Sequence, residues 1–375
     1  MHQLSFIENI PVRPWDSKST AAHDWTLHQV APYIGRMKTT MARALIQELT
    51  SEGDLVVDPF CGSGVVPLEA AALGRVVEAG DLNPYAYVIT MAKLFPPNSM
   101  QAGLDRLDQA WAKSLELLDL QDLRTVPLWV RAFFHPETLR HSLALRDACI
   151  ELNDFFILAN LLGILHHQRP GFLSYPSSNL IPYLRDRKYP RADFPEMYSE
   201  RDVLPRMIAK VARTLQRLPP LDYARISVRK VDARRFPLLS GVKAVITSPP
   251  YMNSLDYVRD NRLRLWFIEK KLENRHEFVR RAREKQFAGL LRGVVMRFNE
   301  MIDSGGYFAL VLGDARRGGS PRNTAKFALS LFSSLPLCNS WELVQTYEDE
   351  IPIKRRARKE IKQSIGEQIL IFHKR

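Results

Sequence analysis

A short apolar strand that leads into a glycine-containing loop constrains the fold of this chain more than any other feature. Residues 55–57 are apolar, residues 58–64 read DPFCGSG, and residues 65–73 have the apolar pattern of a helix. A second apolar run over residues 76–81 ends in an aspartate, and a further helix is predicted over residues 84–93. A strand, a helix and a second strand in this order form a unit whose two strands are parallel. The pattern therefore predicts an α/β fold with a doubly wound, mostly parallel sheet.

Four later apolar runs supply further strands for this sheet. They cover residues 244–247, 307–313, 343–347 and 368–372, and the last two are predicted to form a terminal antiparallel pair. No run of about 18 apolar residues is present, so a transmembrane helix is not expected. The first residues lack the apolar core of a signal peptide, and a cytoplasmic location is expected.

The three cysteines, Cys61, Cys149 and Cys338, lie far apart in the chain. Their spacing fits neither a disulfide framework nor a zinc site, so no metal is expected. Cys61 is predicted to be a small buried thiol and not a nucleophile.

The net charge of +12 is concentrated in two segments. Residues 259–297 carry a net charge of +7 and residues 350–375 carry +5, so the rest of the chain is neutral overall. Such segments bind polyanions or form solvated faces, and charge alone does not separate the two.

Two glycines and an aspartate are placed where a nucleoside-type cofactor could bind. In a parallel sheet, ligands bind beyond the carboxyl ends of the strands. Gly62 and Gly64 follow the first strand, where a side chain would block close approach of a ligand. Asp81 ends the second strand and can accept hydrogen bonds from both hydroxyls of a ribose. Pro67 replaces the third glycine of the dinucleotide fingerprint, and a turn that binds no ligand is the alternative.

Residues 247–251, TSPPY, follow a buried strand and should reach the same crevice. An exocyclic amino group of a base is a poor nucleophile because its lone pair is conjugated into the ring. The Ser248 hydroxyl and the Pro249 carbonyl are acceptors that could draw this nitrogen out of conjugation. Pro249 and Pro250 stiffen the loop, and Tyr251 offers a face for stacking a base that has left the duplex. A structural Pro-Pro turn is the alternative.

The loop DPFCGSG resembles the first motif of DNA amino-methyltransferases, whose cofactor is S-adenosylmethionine. The resemblance implies cofactor contacts from the loop and from Asp81, the ribose-binding acid. It extends to residues 28–38, which resemble the motif that holds the methionine end, and to an acid before TSPPY that contacts adenine. The implied cofactor-binding residues are Tyr33, Lys38, Asp58, Phe60, Gly62, Gly64, Asp81 and Asp232. For Asp232, a cap on a turn is the alternative.

TSPPY resembles the catalytic motif of cytosine-N4 methyltransferases, whereas adenine-N6 members more often begin it with Asp or Asn. The implied catalytic residues are Ser248, Pro249, Pro250 and Tyr251. The resemblance implies a seven-stranded Rossmann-like methyltransferase sheet and methylation of a flipped-out cytosine in duplex DNA. Alternatives are adenine-N6 methylation, an RNA base methyltransferase, and a DNA-binding protein without activity. Methylation at cytosine carbon 5 is excluded, because that family needs a Cys after a Pro and this chain has no such pair.

The resemblance divides the chain into three parts. Residues 1–94 are the N-terminal arm and the cofactor-binding half, and residues 226–375 are the catalytic half with a basic C-terminal hairpin. Residues 95–225 are too long for a simple connection and are predicted to be a mainly helical insertion that braces the sheet, binds DNA or mediates assembly.

Arginines in and near the basic segments are candidates for DNA contacts. They are Arg259, Arg262, Arg280, Arg281, Arg316, Arg355 and Arg356, with Arg264 as a further candidate. A restriction or defence partner and the oligomeric state are left open.

Overall fold

A computed structural model describes this protein. Its main sheet has seven strands. The described residues are 24–33, 35–167, 171–175, 189–250, 261–270, 283–313, 315–317, 320–322, 324–334, 338–350 and 366–375, together with Trp15 and Arg187. Within these ranges, no helix is both long enough and apolar enough to span a bilayer.

The strands follow the order β3-β2-β1-β4-β5-β9-β8 across the sheet. Their bounds are β1 Leu55–Asp58, β2 Val76–Asp81, β3 Ile226–Lys230, β4 Val242–Thr247, β5 Ile302–Gly313, β8 Trp341–Glu350 and β9 Gly366–Lys374. The first five strands in this order run parallel to one another, and β9 is antiparallel to both β5 and β8. Two short strands, β6 Ala315–Arg317 and β7 Ser320–Arg322, form a separate ribbon. The predicted doubly wound, mostly parallel seven-stranded sheet is confirmed.

Helices connect and cover these strands. They are α1 Thr39–Leu49, α2 Val65–Ala72, α3 Pro84–Leu94, α4 Met100–Glu116, α5 Leu128–Arg131, α6 Pro136–Glu151, α7 Phe155–Ile164, α8 Val203–Thr214, α9 Arg262–Glu269, α10 Arg283–Asn299 and α11 Thr324–Ser334. The local sequence explains where α3 begins. Asn83 accepts a hydrogen bond from the backbone N–H of Tyr85 and precedes a proline at the first position of α3.

Each face of the sheet has its own hydrophobic core, because alternate side chains of a strand point to opposite faces. Val56 of β1 belongs to the core beneath α1–α4 and α6–α9, whereas Val57 belongs to the core beneath α10 and α11. In β4, Ile246 lies in the first core and Val245 in the second. Helices therefore cover both faces.

The described part of residues 95–225 is helical and packs on the helices that cover one face of the sheet, above all through α7 on α3. Leu107 of α4, Leu162 of α7 and Met207 of α8 lie in the same core as Val56 of β1. Apart from a small cluster of Leu117, Ala144 and Ala148, most buried apolar side chains of the described part of the segment belong to this shared core, which fits a bracing role. Its predicted parts in DNA binding and assembly, and the division of the chain into domains, stay predictions.

The strand order changes direction between β1 and β4. From β1 the chain moves outward through β2 to β3, then crosses back to β4 on the other side of β1. Such a switch point opens a crevice at the carboxyl ends of the two strands, where ligands bind in sheets of this type. The DPFCGSG loop and TSPPY follow these two strands.

Candidate active site

The carboxyl ends of β1, β2 and β4 meet at one pocket. Both sequence motifs line it, together with the segment before α1. Its lining residues are Tyr33, Gly35, Arg36, Met37, Asp58, Phe60, Cys61, Gly62, Ser63, Val65, Val66, Asp81, Ser248 and Pro250.

A buried hydrogen bond joins the two motifs. Thr247 Oγ1 donates to Asp58 Oδ1 at 2.6 Å, and the same oxygen accepts from the backbone N–H of Phe60 at 3.2 Å. Thr247 and Asp58 are 0% and 4% exposed. Burial raises the pKa of Asp58 to about 7, and the hydrogen bond from Thr247 opposes this rise. The last residues of β1 and β4 are thereby held against each other.

The glycine loop has a backbone that other residues rarely adopt. Gly62 has φ +49° and Gly64 has φ +67°, both in the left-handed region. A Cβ on Gly62 would lie 3.3 Å from the ring of Tyr33, and a Cβ on Gly64 would lie 2.8 Å from Thr90 Oγ1. The loop therefore packs closely against its neighbours and exposes backbone to the pocket beside Tyr33.

Asp81 closes the pocket from the side of β2. Its Oδ2 accepts from the backbone N–H of Gly62 at 2.9 Å, and its Oδ1 accepts from that of Asn83 at 2.8 Å. Burial raises the pKa of Asp81 to about 6, and these two backbone hydrogen bonds oppose the rise. A carboxylate has about four lone-pair sites, so Asp81 can accept a further hydrogen bond from a ligand in the pocket.

The segment before α1 forms a wall of the pocket and is fixed to the rest of the fold. The ring of Tyr33 lies 5.9 Å from that of Tyr85, whose hydroxyl donates to the carbonyl of Pro32 at 2.7 Å. Two residues of this wall, Arg36 and Met37, were not singled out from the sequence. They lie within residues 28–38, so the position of the motif was the available signal.

His28 anchors this wall to α2. Its Nε2 lies 2.8 Å from Glu69 Oε1, and Arg43 donates to the other oxygen of Glu69 at 2.8 Å. Burial lowers the pKa of His28 to about 4, so the imidazole is neutral at pH 7 and Nε2–H is the donor. Because Arg36 donates to the carbonyl of His28 at 2.9 Å, the network also positions the pocket wall.

Three of the four predicted catalytic residues are described. Ser248 and Pro250 are half-buried and line the pocket, whereas Pro249 is buried. Tyr251 lies outside the described residues. The structure thus brings Ser248 and Pro250 together with Tyr33, Asp58, Phe60, Gly62 and Asp81. Gly64 closes the same loop through a hydrogen bond from its N–H to the carbonyl of Cys61.

Three predicted cofactor-binding residues, Gly64, Lys38 and Asp232, do not line this pocket. Lys38 forms an ion pair with Asp349 of β8, with its Nζ 2.6 Å from Oδ2. Asp232 caps the turn Ala233–Arg235 by accepting from the backbone N–H of Arg234 at 2.9 Å, and it also binds the guanidinium of Arg234. This is the capping geometry of the alternative interpretation. The cofactor-binding roles of Gly64, Lys38 and Asp232 stay predictions.

The candidate DNA-binding arginines are only partly described. The Arg262 guanidinium lies over the ring of Trp129, 4.9 Å from its centroid. Arg264 is buried and donates to the carbonyls of Leu162 and His166, so the expectation of a phosphate contact from Arg264 is wrong. For Arg316 only the backbone, in β6, is described. Arg259, Arg280, Arg281, Arg355 and Arg356 lie outside the described residues.

Cys61 is buried in the wall of the pocket. It is 5% exposed, its Sγ lies 3.4 Å from Thr90 Oγ1, and burial raises the pKa of its thiol. A thiol of this kind is a poor nucleophile. In the described ranges, no three His, Cys, Asp or Glu side chains are grouped closely enough to hold a metal ion.

Comparisons with known proteins support a methyltransferase. Residues 28–116 match the model of a family described as the RMKL-like methyltransferase domain. The Type II methyltransferase M.BsoBI of Geobacillus stearothermophilus is 23% identical over 289 residues, which cover 68% of this chain and 55% of that protein. The chain therefore spans about half the length of this curated relative.

Solved structures of methyltransferases give weaker matches. TrmN from Thermus thermophilus is 13% identical, with a TM-score of 0.36, over 93% of this chain and 52% of that one. A putative rRNA methylase from Clostridium thermocellum is 11% identical, with a TM-score of 0.37, over 91% of this chain and 100% of that one. Likeness at this level does not bear on the substrate.

Proposed function

We propose that this chain is an S-adenosylmethionine-dependent DNA methyltransferase that acts on the exocyclic N4 amino group of a flipped-out cytosine. The observation that carries the proposal is the shared pocket: Ser248 and Pro250 line it together with Gly62 and Asp81. A methyl donor held by the glycine loop and an amino group held by TSPPY would therefore lie in one cavity. The choice of cytosine and of DNA rests on the resemblance of TSPPY to the cytosine-N4 motif.

The residues around the glycine loop fit the proposed cofactor. S-adenosylmethionine supplies, when bound, a methyl group activated by a sulfonium. Asp81 would accept hydrogen bonds from its ribose hydroxyls, and Gly62 would allow close approach to the backbone. Arg36 is a cation in the pocket wall that could bind its carboxylate. The ring of Phe60 would pack against its apolar parts.

The residues after β4 would orient the target base. The Ser248 hydroxyl and the Pro249 carbonyl would accept the two N–H groups of the amino nitrogen and make its lone pair available. Because these acceptors sit on a proline-stiffened loop tied to Asp58 through Thr247, they would be positioned before the base arrives. The methylated nitrogen loses a proton, and an ammonium of this kind is acidic enough to release it to water. No base of unusual pKa is required.

One experiment tests this proposal directly. The full chain is incubated with labelled S-adenosylmethionine and, in parallel samples, mixed duplex DNA or total RNA, and the nucleic acid is digested to nucleosides. Label in the N4-methylcytosine nucleoside is the expected result. Label in the N6-methyladenine nucleoside would keep the DNA methyltransferase and change the base. Transfer to RNA without transfer to any DNA would overturn the proposal, and no transfer to either would favour a binding protein without activity.

A further inference from the structure

The helical insertion carries three arginines for which the described part of the chain supplies no acidic partner. We call Arg191, Arg201 and Arg206 the arginine cluster. Arg191 is exposed, and Arg201 and Arg206 are half-buried. Across the described residues, none of the three guanidinium groups forms an ion pair, although Glu200 and Asp202 flank Arg201 in the chain. Charged groups that are partly withdrawn from water are normally paired, so Arg201 and Arg206 could accommodate an external anion, with Arg191 exposed beside them.

Aromatic rings and backbone carbonyls hold the cluster in place. The Arg191 guanidinium lies 4.7 Å from the centroid of the Tyr198 ring and 5.8 Å from that of Tyr175. Both tyrosines are buried, so they support the arginine and leave no ring face free for a base. Arg201 donates to the carbonyl of Met197 at 3.4 Å, and Arg206 donates to that of Asp202 at 2.8 Å. A guanidinium has five N–H donors, so several remain for a ligand.

Arg201 and Arg206 also repel each other. Burial lowers the pKa of Arg201, and the positive charge of Arg206 lowers it further. The Nε atoms of both arginines are buried and have no acceptor among the described residues. Two like charges held close together are unfavourable in the free protein, and an anion bound beside them would reduce their repulsion. A phosphate group fits this arrangement, because arginine donors match its oxygens.

A continuous series of contacts connects the cluster with the pocket wall. The backbone N–H of Tyr175 donates to the carbonyl of Phe133 at 2.7 Å, and the neighbouring Ser174 binds His166 at 2.7 Å. The carbonyl of His166 accepts from Arg264, which lies over the ring of Tyr85.

Tyr85 continues this series into the wall. Its hydroxyl donates to the carbonyl of Pro32, next to Tyr33 of the pocket. Arg264 itself lies in α9, the first described helix after TSPPY. The cluster is therefore attached to the part of the fold that holds both the cofactor loop and the catalytic loop.

We propose that the arginine cluster binds phosphates of the DNA substrate, so that the insertion takes part in substrate binding. The proposal rests on the proposed function for the identity of the polyanion. Phosphate contacts fix the position of a protein on DNA without reading the sequence. The cluster would thus set the position of the duplex relative to the pocket.

The test compares two triple variants of the full chain that remove the same charge. In the first, Arg191, Arg201 and Arg206 are all changed to Gln. In the control, the exposed arginines Arg124, Arg213 and Arg225 are changed to Gln. The dissociation constants for a fluorescent DNA duplex and for an RNA duplex of the same sequence are measured between about 50 and 300 mM NaCl. A plot of log affinity against log salt has a negative slope, and each lost phosphate contact reduces its steepness by about 0.9.

In the first variant, the steepness of this plot should fall by about two to three. Its affinity for the duplex at 150 mM salt should fall about tenfold or more. The control variant should show a much smaller change in both the steepness and the affinity. Equal losses in the two variants, or an unchanged slope in the first, would overturn the proposal. A loss confined to RNA would overturn the assignment to DNA. If the unaltered protein binds DNA through the cluster but methylates none, the cluster stands and the proposed activity fails.

Two further measurements guard against misfolding. Both variants should bind S-adenosylmethionine as the unaltered protein does, which reports an intact pocket. The single change Arg191→Gln alters only an exposed side chain and should reduce the steepness of the salt plot by about one. If the triple variant does not fold, this single variant decides, and an unchanged slope would overturn the proposal.

Discussion

Thr247 Oγ1 lies 2.6 Å from Asp58 Oδ1, and this one contact joins the motif after β4 to the motif after β1. The two residues are 189 positions apart in the chain. Each is the last residue of its strand, so the position of one loop depends on the position of the other. The predicted roles of the two loops, to hold a cofactor and to hold a base, require such alignment.

Removal of the Thr247 hydroxyl should loosen this junction. In Thr247→Val, Asp58 loses its side-chain donor while it stays buried, so the free energy of unfolding should fall by about 1–3 kcal/mol. Urea denaturation measures the change. Thr247→Ser keeps the hydroxyl and should retain most of the stability. A valine variant as stable as the unaltered protein would show that the hydrogen bond contributes little.

The ionisation of Asp58 should make stability depend on pH. Burial raises its pKa to about 7 from an ordinary value of 3.8, so the folded state binds this proton more tightly than the unfolded chain does. The contribution of Asp58 to stability should therefore decrease as pH rises from about 4 to about 7. Asp58→Asn removes this term, so the stability of the variant relative to the unaltered protein should increase over that range. Urea titrations at pH 5 and pH 8 check the sign, and a relative decrease would contradict it.

Ser248→Ala should separate catalysis from cofactor binding. If Ser248 accepts an N–H of the target amino group, kcat should fall by about 100-fold, similar to the loss of one preorganised hydrogen-bonding group elsewhere. The dissociation constant for S-adenosylmethionine should change little. Methyl-transfer assays and calorimetry measure the two quantities. Equal losses in both would indicate that the segment is structural.

Asp81→Asn should have the opposite pattern. Loss of a charged acceptor for the ribose hydroxyls should weaken S-adenosylmethionine binding by about 10- to 100-fold. In the unaltered protein, affinity should also fall as the pH drops through about 6, because the carboxylate then becomes protonated. The asparagine variant should lack this pH dependence. An unchanged dissociation constant in the variant would remove Asp81 from the cofactor site.

Lys38→Met distinguishes a structural role from a cofactor role. In the structure, Lys38 forms an ion pair with Asp349, and the side chain of Asp349 is only 1% exposed. Loss of this ion pair should lower the free energy of unfolding by about 1–3 kcal/mol, with cofactor affinity nearly unchanged. Calorimetry and urea denaturation test the two expectations. A large loss of cofactor affinity with little loss of stability would support the sequence-based prediction.

The parts of the fold that could be predicted from sequence are those with strong local signals. β1, the glycine loop and β2 are contiguous, and each has an apolar run or a glycine at the position where it is needed. β3 was not predicted, because residues 226–230 read ISVRK and are half-buried or exposed, with no apolar run. Strand pairing supplies its stability, and pairing is not visible in the strand itself.

Long-range polar contacts limited the prediction of the site. The resemblance assigned Lys38 to the cofactor, but its partner Asp349 lies 311 residues away and no local pattern connects them. The same holds for His28 and Glu69, which are 41 residues apart and fix the pocket wall. For Asp232 the local alternative was informative, because a side chain that caps its own turn needs only neighbouring residues.

The shared core of the insertion and the sheet has a consequence for how such an enzyme can change its target. A recognition module with its own core could be exchanged between relatives as a cassette, without harm to the scaffold. Here Leu107, Leu162 and Met207 belong to the same apolar core as Val56, and α7 packs on α3, so removal of the segment would expose the apolar outer face of α3. A new specificity would therefore have to arise by substitution on the surface of the insertion and in its loops, with the buried half retained.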